Sequence, residues 1–311
     1  MSIAETGEFG LIARIVARLD TGPATLLGPG DDGAVVAAPD GRVVASTDVL
    51  VEGRHFRRDW AGAADIGHRA AAANLADIAA MGAKPTALLV ALCVPPDLDP
   101  GWAEELADGL SAEAALVQAS VVGGDMSASP TLTVAVTALG DLNNHNPVVR
   151  GGAQPGDVIA LAGRVGYAAA GYTVLSRGFR TPKLLVDAYR RPEVPYAQGP
   201  VAARHGATSM IDISDGLLAE ARHLAEESEV AVDVRRGSFE IAEPLQAVAA
   251  ATGADPLSFI LGGGDDHALL ATFPDTASVP AGWQVIGAVT EGSGVTVDGG
   301  EYDGPTGWTH F

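Results

Sequence analysis

The stretch MIDISDGLLAEARHLAEES (210–228) places an apolar strand, a turn and a helix in immediate succession. Its apolar run ends among Asp212, Ser214 and Asp215, and a glycine follows at the turn into the helix. A looser version of the same arrangement, VVASTD (43–48), occurs in the first half of the chain. Strands that alternate with helices are typical of α/β folds. The sequence therefore predicts an α/β architecture in both halves.

The alternation continues outward from these two stretches. GEFGLIARIVARL (7–19) and the alanine-rich segment 62–82 predict helices, because their apolar residues recur at helical spacing or lie in a run of strong helix formers. TALLVALCV (86–94), TLTVAVTALG (131–140) and FILGGGDDHALLATF (259–273) predict strands. The order is not strictly βαβ, so we expect an α+β mixture with mixed sheets.

The segment DLNNHNPVVRGGAQPGD (141–157) is rich in turn-forming residues and predicts a domain boundary. A chain of 311 residues is long for one core and sufficient for two domains. We therefore expect an N-terminal α/β domain with a mixed sheet at 1–148 and a C-terminal α/β domain at 149–311.

The composition restricts the class of protein. The net charge is −20 with only two lysines, so the chain should repel nucleic acid. No apolar run approaches the ~18 residues of a membrane span. The N-terminus MSIAETGEFG lacks the basic and apolar regions of an export signal. Cys93 lies in an apolar strand, which predicts a buried thiol, and we expect a cytoplasmic protein.

Short acidic motifs recur beside apolar runs: GPGDD (28–32), STD (46–48), NLADIAAMGA (74–83), GGD (123–125), DISDG (212–216) and GGGDD (262–266). Each has an ordinary explanation, since Asp and Gly dominate turns. Together they leave many aspartates at strand ends without cationic partners. Carboxylates are the ligands that Mg²⁺ prefers, so the motifs predict metal-assisted chemistry on a nucleotide.

The familiar nucleotide motifs are absent. The chain has no G-x-x-x-x-G-K-[ST] sequence, neither lysine lies in a glycine-rich loop, and the protein-kinase motif set is missing. Asp77 within an alanine-rich helix is poorly placed unless it is paired or ligating. Asp212 and Ser214 alternate, so we expect them on one face of a strand. Arg150 is a candidate phosphate clamp, and Trp308 is either a stacking platform or a packing residue.

In order along the chain, these motifs resemble the thiamine-monophosphate kinase family, in the superfamily of aminoimidazole ribonucleotide synthetase and selenophosphate synthetase. STD-x-L-V-x-G-x-HF followed by NL-x-D-x-AAMGA is specific to the kinase branch. The resemblance implies the two-domain aminoimidazole ribonucleotide synthetase-like fold and a homodimer formed through the N-terminal domains. It also implies transfer of the γ-phosphoryl group of ATP onto thiamine monophosphate, with several Mg²⁺ ions in a cleft.

The resemblance also assigns roles to residues at matching positions. It implies metal ligands at Asp32, Ser46, Thr47, Asp48, Asp77, Asp125, Asp212 and Asp215. The ATP contacts that it implies are Gly124, Asp125, Arg150 and Ser214. The contacts to thiamine monophosphate would be His55, Asp265 and Trp308.

The chain departs from the family pattern in one motif. Where the family usually has GGEDYEL, this chain has Asp265, His267 and Ala268 in place of Glu, Tyr and Glu. A shorter carboxylate at 265 reaches less far toward a substrate. Two other interpretations stay open at this point: a superfamily sister that activates an amide or a selenide, and a non-catalytic nucleotide or metal sensor.

Overall fold

The computed structural model describes residues 3–29 and 33–308. Contacts divide the chain into two compact units, the first of residues up to 78 together with 83–144, and the second of 79–82 together with the chain from 145 onward. Each unit contains helices and a mixed sheet. This confirms the predicted α/β class with two domains.

The first unit has a four-stranded sheet in the order β3-β6-β4-β5 and a separate two-stranded sheet of β1 and β2. In the larger sheet β4 and β5 run parallel, whereas β6 is antiparallel to both of its neighbours. The elements are α1 (Ile3–Thr6), α2 (Glu8–Val16), β1 (Thr25–Leu27), β2 (Val35–Val36), β3 (Val44–Val51), α3 (Ala63–Ala80), β4 (Lys84–Val94), α4 (Pro100–Leu116), β5 (Ser120–Ala128) and β6 (Thr133–Asp141).

Helices α3 and α4 pack backbone against backbone. A Cβ atom at Gly67 would lie 2.2 Å from the carbonyl oxygen of Leu106, and one at Gly109 would lie 2.0 Å from that of Ala64. Both distances are far below van der Waals contact, so only glycine fits at these two crossing points. No described helix, the 18-residue α3 included, is long and apolar enough to cross a bilayer.

The second unit has a six-stranded sheet in the order β12-β9-β11-β7-β10-β8, in which β12 and β9 are the parallel pair. Its core includes the rings of Phe273 and Trp283, edge to face with centroids 5.6 Å apart. The elements are β7 (Val158–Ala162), α5 (Tyr167–Ser176), α6 (Lys183–Arg190), α7 (Gln198–Arg204), β8 (Ser209–Asp212), α8 (Leu217–Ser228), β9 (Ala231–Val234), a 3₁₀ turn (Arg236–Ser238), α9 (Glu243–Thr252), α10 (Pro256–Gly262), β10 (Leu269–Phe273), β11 (Trp283–Thr290) and β12 (Gly294–Val297).

Three local expectations were wrong. Residues 259–262 belong to helix α10 rather than to a strand, because the Asp255 side chain accepts from the Leu257 amide and Pro256 occupies the first helical position. Ser214 lies beyond β8, which ends at Asp212, so the two do not share a strand face. Cys93 is half-buried rather than buried.

Helix α5 begins on a buried carboxylate from a distant part of the chain. Asp266 Oδ1 accepts the Ala168 amide at 3.0 Å, so it satisfies a backbone donor that the helix itself leaves unpaired. Burial raises the pKa of Asp266 to about 7, although the amides of Ala168 and Gly166 and the charge of Arg164 act in the opposite direction. A carboxyl group in this environment is half protonated near neutral pH.

We expect Gly109→Ala to destabilise the first unit, because its methyl group would overlap the Ala64 carbonyl oxygen. Overpacking costs about 1–3 kcal/mol and outweighs the gain in helix propensity of about 1 kcal/mol. Gly101→Ala in the same helix is the matched control, since its Cβ would meet only the Asp99 side chain at 3.5 Å. Thermal melts of both variants test this. Equal melting temperatures would contradict the close-packing argument.

We expect Asp266 to make stability depend on pH. Its pKa is higher in the folded protein than the ordinary 3.8, so its contribution is complete below pH 4 and is lost as the pH rises through 7. Asp266→Asn cannot ionise, so its melting temperature relative to wild type should rise between pH 5 and pH 8. One pKa unit is about 1.4 kcal/mol, so the gap should widen by several degrees. A constant difference in melting temperature between the variant and wild type across this pH range would contradict the prediction.

Candidate functional site

In the first unit, strand β3 and helix α3 bring together three of the residues expected at a site. Ser46 donates from Oγ to Asp77 Oδ2 at 2.6 Å, so the helix carboxylate has the partner that its position demands. Asp48 is two residues further along β3 and therefore lies on the same face of the sheet as Ser46. Asp77 lies within α3 as expected, whereas Ser46 and Asp48 lie within β3 and not at its end as the sequence suggested.

Thr47 and Asp125 lie on the opposite face of this sheet. The register aligns Val49, Ala135, Ala91 and Asp125 across the four strands, and the adjacent row begins with Thr47 and Thr137. Thr47 donates from Oγ1 to the Val136 carbonyl at 2.9 Å and accepts from Thr137 Oγ1 at 3.0 Å. The structure therefore does not group all the expected ligands of the first unit on one face.

Gly124 is next to Asp125 in β5, where it allows close packing against the neighbouring strand. A Cβ atom there would lie 2.0 Å from the Val90 carbonyl oxygen on the neighbouring strand. The glycine is thus required by strand packing, whether or not a ligand also approaches it. Asp125 itself is exposed.

His55 follows β3 in a turn that fixes its ring. The Val51 amide donates to His55 Nδ1 at 3.0 Å, and the His55 amide donates back to the Val51 carbonyl at 2.9 Å. Because Nδ1 accepts a hydrogen bond, the ring proton of the neutral histidine is on Nε2. His55 can therefore present an N–H donor to a ligand phosphate or hydroxyl.

In the second unit, two loops run side by side at the end of β8. The amide of Asp265 donates to the Ser214 carbonyl at 2.8 Å, and the amide of His267 donates to the Ile213 carbonyl at 3.0 Å. A Cβ atom at Gly264 would lie 2.1 Å from the Ser214 carbonyl oxygen, so the glycine permits this approach. The loops bring DISDG and GGGDDH, widely separated in sequence, into one place.

Two residues of the second loop have an unusual backbone. Asp265 has φ 67° and His267 has φ 52°, both in the left-handed region. Such conformations cost about 1–3 kcal/mol in non-glycine residues and concentrate at functional sites. The backbone amides of both residues are hydrogen-bonded to the neighbouring loop.

Asp212 and His267 form a buried pair. His267 Nδ1 lies 3.0 Å from Asp212 Oδ2, and both side chains are almost fully buried. The sequence indicated Asp212 but gave His267 no function, because a lone histidine after an acidic pair has no spacing that identifies a partner.

Glu220, in the first turn of α8, completes the acidic group. Its Oε1 accepts from Ser214 Oγ at 3.2 Å and from the Asp215 amide at 3.1 Å. Burial raises the pKa of Glu220, and the charges of Asp212 and Asp215 raise it further. Sequence analysis missed this residue. The signal was an acid in the first helical turn after the DISDG motif.

Trp308 also lies at this place. Its amide donates to the Asp215 carbonyl at 2.9 Å, while its side chain is 57% exposed. The backbone of Trp308 is therefore anchored to the acidic loops, while its ring is not part of the core, and its role as a stacking platform stays a prediction.

Arg150 lies elsewhere in the second unit. Its carbonyl accepts from Ser228 Oγ at 3.0 Å, and the neighbouring Val149 carbonyl accepts from the Met210 amide. The segment therefore runs beside the beginning of β8, whereas Asp212 is the last residue of that strand. The structure does not bring the Arg150 backbone to the acidic loops.

The donor set of the acidic loops fits a hard divalent cation. Asp212, Ser214, Asp215 and Asp265 offer carboxylate and hydroxyl oxygens. The pKa of the neighbouring Glu220 is raised mainly by burial, and the charges of Asp212 and Asp215 add to this. Within residues 3–29 and 33–308, no three His, Cys, Asp or Glu side chains converge on a ready-made metal site. Asp32 lies outside the described residues. The ligand assignments stay predictions.

Comparison with known proteins gives a consistent result. Residues 30–142 match the model of the AIR synthase related protein N-terminal domain, and residues 154–300 match that of the C-terminal domain. The thiamine-monophosphate kinase of Mycobacterium tuberculosis is 44% identical over 312 residues, which covers 100% of this chain and 93% of the relative.

Solved structures of similar proteins point to the same family. AaThiL complexed with AMPPCP and TMP superposes with a TM-score of 0.82 and 32% identity, covering 100% of this chain and 99% of the other. Thiamine-monophosphate kinase from Stenotrophomonas maltophilia has the same TM-score and identity, covering 95% of this chain and 98% of its own. The chain is a kinase, and it belongs to the thiamine-monophosphate kinase family of AIR synthase related proteins.

Proposed function

We propose that this protein transfers the γ-phosphoryl group of ATP to the phosphate of thiamine monophosphate, giving thiamine diphosphate and ADP. The observation that carries the proposal is the grouping of Asp212, Ser214, Asp215 and Asp265 beside the exposed ring of Trp308. Oxygen ligands and an aromatic surface in one place suit a phosphorylated molecule that contains a flat heterocycle. The solved relative that holds AMPPCP and TMP supports the same pair of substrates.

The chemistry needs charge compensation rather than a strong base. The second pKa of a phosphate monoester is about 6, so the acceptor oxygen is already largely ionised at neutral pH. The P–O bond to ADP breaks as the new P–O bond forms, with both oxygens roughly in line. The difficulty is that two polyanions must meet on a chain of net charge −20. Mg²⁺, when bound, would neutralise and align the phosphate oxygens.

Particular residues would serve this reaction. We assign Mg²⁺ ligation to Asp32, Ser46, Thr47, Asp48, Asp77, Asp125, Asp212 and Asp215. Gly124, Asp125, Arg150 and Ser214 would contact ATP, while His55, Asp265 and Trp308 would contact thiamine monophosphate. Residues 1–148 would supply metal, ATP and dimer contacts, and residues 149–311 would complete the substrate cleft. An enzyme that draws on ATP in this way fits a cytoplasmic location.

The direct test is product formation from ATP and thiamine monophosphate, resolved by chromatography, with Mg²⁺ and with excess chelator. We expect thiamine diphosphate and ADP in equal amounts, and only when Mg²⁺ is present. Binding of ATP without formation of thiamine diphosphate would instead favour a nucleotide sensor or a sister enzyme with another acceptor.

We expect Asp48→Asn and Asp215→Asn each to lower turnover by at least about 100-fold, since each removes one negative charge facing the predicted cation while keeping the side-chain shape. Neither change should unfold the protein, because both replace a carboxylate by its isosteric amide. The chromatographic assay measures the loss of turnover, and circular dichroism melts show whether the fold is retained. Asp97→Asn, at an exposed acid of the first unit, is the control. Turnover within a few-fold of wild type in both variants would refute the metal assignment.

We also propose that the protein is a homodimer formed through the outer face of the β3-β6-β4-β5 sheet. One face of that sheet is buried, as the alternation of buried and half-buried residues along β6 shows. The other face exposes apolar side chains in neighbouring rows, including Val49 at 46% and Leu89 at 38%. Asp125 is on the same face but on the edge strand β5, at the margin of this proposed interface. Exposed apolar patches of this kind mark interaction surfaces.

We expect Leu89→Asp to convert the dimer to a monomer, because a carboxylate in the middle of that face would be desolvated in the interface. Light scattering during size-exclusion chromatography measures the mass. Leu184→Asp, at a 48% exposed leucine on α6 of the second unit, is the matched control and should leave the mass unchanged. A wild-type mass of one chain would exclude the dimer.

A further inference from the structure

His267 forms a buried hydrogen bond with Asp212, one of the proposed Mg²⁺ ligands. Both residues are at most 5% exposed, and His267 Nδ1 lies 3.0 Å from Asp212 Oδ2. An ionised carboxylate only accepts hydrogen bonds, so the proton of this bond is on Nδ1. A neutral histidine with its proton on Nδ1 meets this requirement.

The histidine ring is itself held in place. The His267 amide donates to the Ile213 carbonyl, and Leu269 is the register partner of Asp212 in the β10–β8 pair. The backbone on both sides of the ring is therefore fixed to the strand that ends at Asp212. A hydrogen bond from so rigid a donor determines the plane of the carboxylate.

We propose that His267 is a positioning residue that orients Asp212 for the Mg²⁺-bound nucleotide. With Oδ2 hydrogen-bonded to the ring, Oδ1 is the oxygen that would be left to bind the cation. Ligating carboxylates are commonly oriented by such outer hydrogen bonds, and the loss of one typically costs 10–100-fold in metal affinity or activity. The inference rests on the proposed function, since it assumes that Asp212 ligates Mg²⁺.

The test compares binding of the non-hydrolysable analogue AMPPCP at increasing Mg²⁺ concentrations, followed by isothermal titration calorimetry. His267→Leu should raise the Mg²⁺ concentration that supports half-maximal binding by about 10–100-fold. His267→Asn should stay within about threefold of wild type, because its amide nitrogen can take the place of Nδ1 and asparagine tolerates a positive φ. His205→Leu, at an exposed histidine, is the control and should have no effect.

A double-mutant cycle separates positioning from general stability. If His267 acts through Asp212, then His267→Leu should add little to the defect of Asp212→Asn. Additive losses in the cycle, or a Leu variant with the Mg²⁺ dependence of wild type, would overturn the proposal.

Folding is followed in parallel by thermal melts. His267→Phe replaces the Leu variant in the cycle if that variant has no cooperative transition. Loss of the fold in both would show that the pair serves stability, which also overturns the proposal. Wild-type protein that does not bind AMPPCP with Mg²⁺ at all would contradict the proposed function itself, an outcome distinct from failure of the His267 inference.

Discussion

The candidate site of the second unit depends on one close approach between two backbones. Gly264 leaves no room for a side chain against the Ser214 carbonyl, and the amides of Asp265 and His267 pair with the same loop. Any larger residue at 264 would separate the loops and with them the acids of both motifs. Asp265 and His267, whose amides make this pairing, both have a positive φ.

Charge is the second constraint. The loops concentrate carboxylates on a chain that already carries a net charge of −20, and burial adds to the cost of keeping Glu220 ionised. Part of the charge is compensated internally. His267 donates to Asp212, while Glu220 accepts from the Asp215 amide. The negative charge that is not compensated in this way is available to bind a cation. A bound cation would in turn allow an acidic protein to bind phosphate groups.

Much of this arrangement was predictable from the sequence, because it follows local rules. Sequence patterns predicted α2, α3, α8 and most strands, although not α6, α7, α9 or α10, and the motifs identified Asp212, Asp215 and Asp265. Contacts between distant segments were not predictable. Glu220 and His267 acquire their roles only when the chain brings them to Asp215 and Asp212. The placement of Asp125 on the sheet face opposite to Asp48 depends on a register that no local pattern specifies.

The departure from the family motif has a physical logic in this loop. Two of the replaced positions, 265 and 267, are the two with positive φ, and the residues found there are Asp and His. Both types enter the left-handed region more readily than most residues, as Glu and Tyr do not. The third, Ala268, is fully buried, where a glutamate would need a partner. These replacements lower the conformational and desolvation cost of the loop. The shorter side chain at 265 is the accompanying loss, since its carboxylate reaches one methylene less far from the loop than that of a glutamate.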